Sequence, residues 1–319
     1  MHTYLKFGVK YIDDAFIGIS KTDLILIGGR SGGGKTELAT QIAMTNALAG
    51  KRVYFFALEA ELHEIADRIK YKVLAQMFFE SGNHTAKYIA YDRWKAGLLN
   101  HEFSHFEKMA NKKLESLSNL HIRYGSENYT IENYESDLQE IKGKADLIII
   151  DHLHYFDVDE AQANAEIKAI MKKIKALALE HETPVILVSH LRKLDKRSHS
   201  LVPDQEDFHG SSDVIKIATK AITIASARGK KCYKYDEAGI NLQEFSLSEG
   251  SSSFIKLVKN RRNGAVSIPV CLITFRHETN TYSEGYVLGE EKTEKYEPIF
   301  VATQRDKSFP RWAEGAKND

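Results

Sequence analysis

Gly29, Gly34, Lys35 and Thr36 stand at the spacing G-x-x-x-x-G-K-[ST] within Leu24–Thr36, which reads L-I-L-I-G-G-R-S-G-G-G-K-T. This spacing is that of a phosphate-binding loop. The intervening Arg30, Ser31, Gly32 and Gly33 let the backbone curl so that successive N–H groups meet phosphate oxygens. A helix N-terminus behind them adds a positive dipole end. Lys35 is placed for β- and γ-phosphates and Thr36 Oγ for Mg²⁺. Such a loop needs an acidic partner at a strand end to order the cation. Asp151 closes the run D-L-I-I-I-D and fills that role, the Walker B pattern.

Hydrolysis also requires a group that polarises water. Glu59 follows the apolar run V-Y-F-F-A-L-E, at the strand edge where open α/β sheets bind ligands, and a carboxylate there can act as general base. Glu59 can equally be a helix-capping acid, with Glu61 or Glu64 in the catalytic role. His190 ends V-I-L-V-S-H-L-R on the same edge, where a polar side chain can respond to the γ-phosphate. Lys259, Arg261 and Arg262 crowd K-L-V-K-N-R-R-N-G. They read either as a basic edge that discourages strand aggregation or as an arginine finger reaching a neighbouring subunit.

Strand-like apolar runs at Leu24–Ile27, Val53–Leu58, Leu147–Ile150, Val185–Val188, Ala221–Ile224 and Phe254–Val258 carry these residues. Helical patterns separate them: Thr36–Leu48, Leu62–Phe79, Glu102–Ser118, Ile131–Ile141, Ala161–Glu180 and Ser211–Thr219. Alternation of the two predicts an α/β fold, a mainly parallel sheet flanked by helices. Ser81–Asn128 is expected to elaborate this core. Ser267–Phe275 and Thr281–Tyr286 are expected to form a C-terminal β-hairpin turning at His277–Asn280. The division expected is one compact domain over residues 1–289 and a charged tail over 290–319, loose at Glu314–Asp319.

With 44 Lys+Arg against 44 Asp+Glu, the chain is not a basic nucleic-acid coat, so any such contact must be local. Cys232 and Cys271 are the only cysteines and form no C-x-x-C pair, which fits a reducing, cytoplasmic setting. No stretch approaches a membrane span, and the N-terminus carries no signal-peptide pattern.

Five motifs in one order resemble the RecA-type motor domain of DnaB-like replicative helicases. They are nearest in style to the helicase half of phage primase-helicases and to the Twinkle helicase. The motifs are G-G-R-S-G-G-G-K-T, A-L-E-A-E-L-H-E-I-A-D-R with Arg68, L-I-I-I-D-H-L-H, T-P-V-I-L-V-S-H-L-R and K-N-R-R-N-G. The resemblance covers Gly8 to Thr281. It implies a RecA-like fold over residues 1–289 that binds ATP and Mg²⁺. Lys35, Thr36 and Asp151 would sit on the nucleotide and metal, Glu59 would activate water and His190 would sense phosphate. Lys259 and Arg261 would act in trans, with Arg262 the weaker rival. A finger in trans implies a homo-oligomer, in this family a hexamer on single-stranded DNA.

The family's DNA-binding loop carries an arginine before G-S-G. Here D-F-H-G-S-S places His209 there, followed by Gly210 and Ser211, and Arg192, Lys193, Lys196 and Arg197 offer phosphate contacts nearby. The chain begins almost at the motor domain, so assembly is expected to rest on that domain or on a partner such as a primase or loader. The implied function is an ATP-dependent DNA helicase or translocase in replication. The alternative is an ATP-gated assembly, loader or recombination-mediator protein that does not unwind. A metabolic kinase would leave the glutamate, sensor and finger motifs unexplained.

Overall fold

A computed structural model describes residues 4–82, 88–125, 129–156, 163–192, 202–208, 211–228, 230–235, 241–245, 252–262, 270–276, 278–283, 285–292 and 298–302. Its centre is a twisted sheet whose first half is parallel. β1 (Leu24–Gly29), β2 (Val53–Ala57), β3 (Leu120–Tyr124), β4 (Leu147–Asp151), β5 (Val185–His190) and β6 (Lys220–Ser226) lie in the order β3-β2-β4-β5-β1-β6. Antiparallel strands β9 (Ser252–Asn260), β10 (Val270–Arg276) and β12 (Tyr286–Lys292) extend it. Beyond them lie β13 (Pro298–Ala302), β7 (Cys232–Tyr235) and β8 (Leu242–Phe245), while the short β11 (Thr281–Tyr282) pairs with β10 off this path.

The apolar strands are buried on both faces, as the sandwiched strands of a parallel sheet must be. Alternate residues of β1 serve two cores. Ile25 and Ile27 pack with α2 (Lys35–Leu48) and α3 (Glu64–Glu80). Leu24 and Leu26 pack with α6 (Ile131–Glu140), α7 (Ala163–Glu180) and α8 (Ser211–Ile217). This is the period-two alternation of a strand.

The expected strands and helices all form, with ends shifted by a few residues. Other elements carry weaker patterns. α1 (Lys10–Phe16) and α4 (Tyr91–Lys95) join the helical layers beside the expected α5 (His101–Glu115). Edge strand β3 reads L-H-I-R-Y, is only part-buried and, among the described residues, pairs with β2 alone. The expected hairpin forms, with Phe275 opposite Tyr282, and its ladder resumes at Leu272 opposite Tyr286. The expected division between residues 289 and 290 falls inside β12, whose Glu290 lies opposite Phe300 of β13. The sheet thus continues into the expected tail, because P-I-F-V-A offers a pairing strand there. Glu314–Asp319 lies outside the described residues.

Candidate functional site

The strand edge at Gly29, Asp151 and His190 opens into a cleft of about 500 Å³. Ser31, Gly32, Gly34, Lys35, Thr36, Glu59, Asp151, His152 and His190 are among its lining residues. β1 delivers the chain to the loop, and α2 begins at Lys35 without a side-chain cap. Its first-turn amides therefore have no intrahelical acceptor, which suits an anion. Gly34 adopts φ 91°, a left-handed conformation glycine reaches without a Cβ penalty. A Cβ there would meet Tyr282 Oη at 2.0 Å. That hydroxyl donates to the Gly34 carbonyl at 3.1 Å, so the hairpin props the loop from behind.

Lys35 is 5 % exposed. Its Nζ donates to the Arg30 carbonyl at 3.0 Å and lies 3.4 Å from His190 Nδ1. Burial lowers the affinity of the amine for its proton, while Asp151 and Glu59 raise it. Asp151 is 2 % exposed; its Oδ1 lies 2.9 Å from His152 Nε2 but among the described residues accepts no well-directed hydrogen bond. An orphaned buried carboxylate oxygen costs free energy unless a cation meets it. With the Thr36 hydroxyl lining the same cleft, the oxygen donors fit Mg²⁺.

The backbone carbonyl of Asp151 accepts from Leu58 N at 2.6 Å and from Glu59 N at 3.2 Å, which ties the glutamate loop to the end of β4. Glu59 Oε2 lies 2.7 Å from His152 Nε2, and Oε1 lies 3.8 Å from His190 Nε2. Of the two rival acids, Glu64 is held by Arg68 at 2.8 Å. Glu61 is exposed. The His152 and His190 rings stack with centroids 4.2 Å apart. Burial first, then His152, Lys35 and His154, push His190 down to about 4. The ring is therefore neutral near pH 7, and its Nδ1 can accept from the Lys35 ammonium.

Two features carried no expectation of their own. His152 and His154 sat within the quoted L-I-I-I-D-H-L-H without a role. His152 is nearly fully buried, and His154 Nε2 lies 3.2 Å from Ser189 Oγ. Their H-x-H spacing directly after the strand-ending acid was the available signal. The second is a charge cluster behind the loop, where Glu37 joins Arg68 to the fully buried Lys72. Lys72 also donates to the Asn280 carbonyl. No local motif announces it.

The basic group lies on the opposite sheet edge. Asn260 pairs with Lys220, and Lys220 with Ile25. Asn260 thus lies four strand positions before Gly29, and Arg261, whose amide donates to the Thr219 carbonyl at 2.9 Å, lies about five, roughly 16–17 Å along the sheet. Arg262 donates to Ser20 Oγ at 2.7 Å and Thr22 Oγ1 at 3.1 Å, and its Nε lies 3.7 Å from Asp23 Oδ1. Lys259 Nζ donates to the carbonyls of Ile215 and Lys216, at the last turn of α8. Arg261 is exposed. Of the expected DNA contacts, Arg192 is exposed and its amide bonds Asp207 O at 2.8 Å. Ser211 opens α8. Lys193, Lys196, Arg197, His209 and Gly210 lie outside the described residues.

A strand, glycine loop and helix at the C-terminal edge of a mainly parallel sheet, facing a strand-ending aspartate, define a RecA-like fold of the phosphate-loop class. The chain belongs to the family described as the DnaB-like helicase C terminal domain, whose model matches residues 5–284. A probable replicative DNA helicase of Guillardia theta is 28% identical over 198 residues, 60% of this chain and 30% of that protein. The replicative DNA helicase DnaB of Mycoplasma genitalium is 24% identical over 297 residues, 88% of this chain and 56% of that one. The chain thus spans between 30% and 56% of the length of these relatives. Among solved structures, one described as an ATPase domain superposes with TM-score 0.67 at 19% identity, covering 88% of this chain and 91% of that one. A DnaB-like replicative helicase described with its interactions with primase gives 0.69 at 19% identity, covering 88% and 62%. Among the described residues, no helix is long and apolar enough to cross a membrane.

Proposed function

We propose that this chain is an ATP-hydrolysing motor that assembles into a ring, a hexamer, and moves along single-stranded DNA during replication in the cytoplasm. One observation carries the reading. Lys35, Glu59, Asp151 and His190 face one cleft, while Arg261 is exposed at the opposite edge. The site is therefore half-built in one copy and would be completed by the next.

ATP binds with its phosphates on the loop amides, and Lys35 leaves the Arg30 carbonyl for the γ-phosphate. Thr36 and Asp151 would hold Mg²⁺, which supplies charge neutralisation across the β- and γ-phosphates. Glu59 accepts a proton from the water that attacks the γ-phosphorus, and ADP departs as the P–O bond breaks. The neighbour's Arg261 balances charge in the transition state. Neutral His190, against Lys35, registers phosphate loss and passes it through Leu191 to the DNA-facing loop. The contact would follow the phosphate backbone, so it would weaken with salt and ignore sequence. A primase or loader protein would be the partner that places the ring.

The deciding experiment measures ATPase rate with and without single-stranded DNA, forked-duplex unwinding, and mass with and without ATP. Stimulation, unwinding and a ring-sized species are expected, with all hydrolysis lost in Lys35→Ala. Full turnover by a strict monomer would refute completion of the site by a neighbour. ATP-dependent assembly with neither stimulation nor unwinding would establish the loader or mediator reading instead.

A further inference from the structure

We propose that Glu59, His152 and His190 form a binding site for a borderline divalent cation such as Zn²⁺, separate in ligand chemistry from the oxygen donors of Thr36 and Asp151. Each of the three residues offers one ligand atom, and those atoms all lie within 4.8 Å of one another. Around tetrahedral zinc with bonds near 2.0–2.1 Å, ligand atoms stand about 3.4 Å apart, so only small side-chain shifts separate this cluster from a coordination shell. Imidazole nitrogen selects Zn²⁺ over Mg²⁺, which takes oxygen.

The cluster has one fixed member and two adaptable ones. His152 is buried and cannot swing away. The Glu59 and His190 side chains are 36% and 30% exposed, so both can turn towards a shared ion. His152 Nε2 lies 2.7 Å from Glu59 Oε2 and 2.9 Å from Asp151 Oδ1. Oxygens at these distances hold the ring proton on Nε2, so a cation binding there shifts that proton to Nδ1 and takes its place beside the two carboxylates. The cleft leaves a further coordination position open to water.

Two features limit the affinity. Among the described residues His152 Nδ1 is buried without a partner, so the ring would carry its proton there unheld, whereas tight sites anchor that outer N–H. His190 Nδ1 lies 3.4 Å from the Lys35 ammonium, a positive charge beside the incoming ion. Removing that charge should favour binding. Occupation would also take Glu59 from its water and stop turnover, a consequence that rests on the proposed ATPase reading. The binding itself does not.

Zn²⁺ is titrated calorimetrically into nucleotide-free full-length protein in excess Mg²⁺, and Co²⁺ ligand-field absorption reports the ligands. One Zn²⁺ per chain is expected, undisplaced by Mg²⁺. His190→Gln and Glu59→Gln should each weaken it at least about tenfold, the lower end of what losing even an outer-shell partner costs a metal site. Lys35→Ala should bind as tightly as wild type or more so. Circular dichroism checks that each variant is folded. Wild-type protein that takes up no Zn²⁺ overturns the proposal. So does unchanged affinity in both His190→Gln and Glu59→Gln, which would put the ion elsewhere among the 13 histidines.

Discussion

Replacing Gly34 by alanine tests the prop beneath the phosphate loop. At φ 91° an L-residue is strained by about 1–2 kcal/mol. The new methyl would stand 2.0 Å from Tyr282 Oη but 3.3 Å from the next ring atom. Tyr282 is 5 % exposed, so the ring has little room to retreat, and overpacking adds about 1–3 kcal/mol. A loss near 3 kcal/mol results by order of magnitude. Spread over 319 residues, at ~2.1 cal/mol/K of unfolding entropy each, it lowers Tm by about 4–5 °C. Tyr282→Phe deletes the clashing atom at the cost of one hydrogen bond, about 1 kcal/mol. The double variant should therefore recover about 1–2 kcal/mol relative to additivity. Thermal and urea unfolding of the four proteins gives the cycle, and nucleotide titration shows whether loop function returns as well. If the two losses simply add, hydroxyl and loop are not in the contact described, and the reasoning fails.

Other consequences can be measured with the same preparations. His190, held near 4 against an ordinary 6.5, takes up its proton later in the native than in the unfolded state. Its contribution is complete above pH 6.5 and falls away as pH drops towards 4. The stability of nucleotide-free wild type should thus decline more steeply over that window than that of His190→Gln, and parallel pH profiles would exclude the effect. The Asp23–Lys220 pair is fully buried at 2.7 Å. Lys220→Met alone should cost about 3–5 kcal/mol, and Asp23→Asn added to it should restore most of that; a single-variant loss under about 1 kcal/mol would count against it. On the proposed function, Arg261→Ala should lower turnover by about 10³ or more. Arg262→Ala, which cuts a tie to Ser20 and Thr22, should leave nucleotide turnover far closer to wild type, and equal losses would reverse the assignment.

The parallel half of the sheet was readable in the sequence because its strands are unbroken apolar runs such as L-I-I-I and V-I-L-V, flanked by residues that do chemistry. Glycine spacing located the loop, and strand-ending polar residues located Asp151 and His190. Where burial is one-sided or pairing is with a distant strand, the signal fades. β3 alternates leucine and isoleucine with histidine and arginine. β13 becomes a strand only because β12 and β7 flank it. Contacts across long separations were not readable either. Tyr282 reaches Gly34 across 248 positions, and Lys72 reaches Asn280 across 208. Neither pair has a local pattern, since each depends on how hairpin and helices pack. The neutral state of His190 likewise comes from neighbours that only the fold assembles.

The separation of Lys35 and Arg261 onto opposite sheet edges carries an arithmetic of its own. A patch that must face itself in a two-fold pair cannot contain both, so copies would join head to tail. An open row of such copies always has one loop without an arginine at one end and one unused arginine at the other. It therefore holds one complete site fewer than it has members, and only closure removes the deficit. On the proposed reading, activity per chain should climb with assembly size and reach its ceiling when the row meets its own beginning.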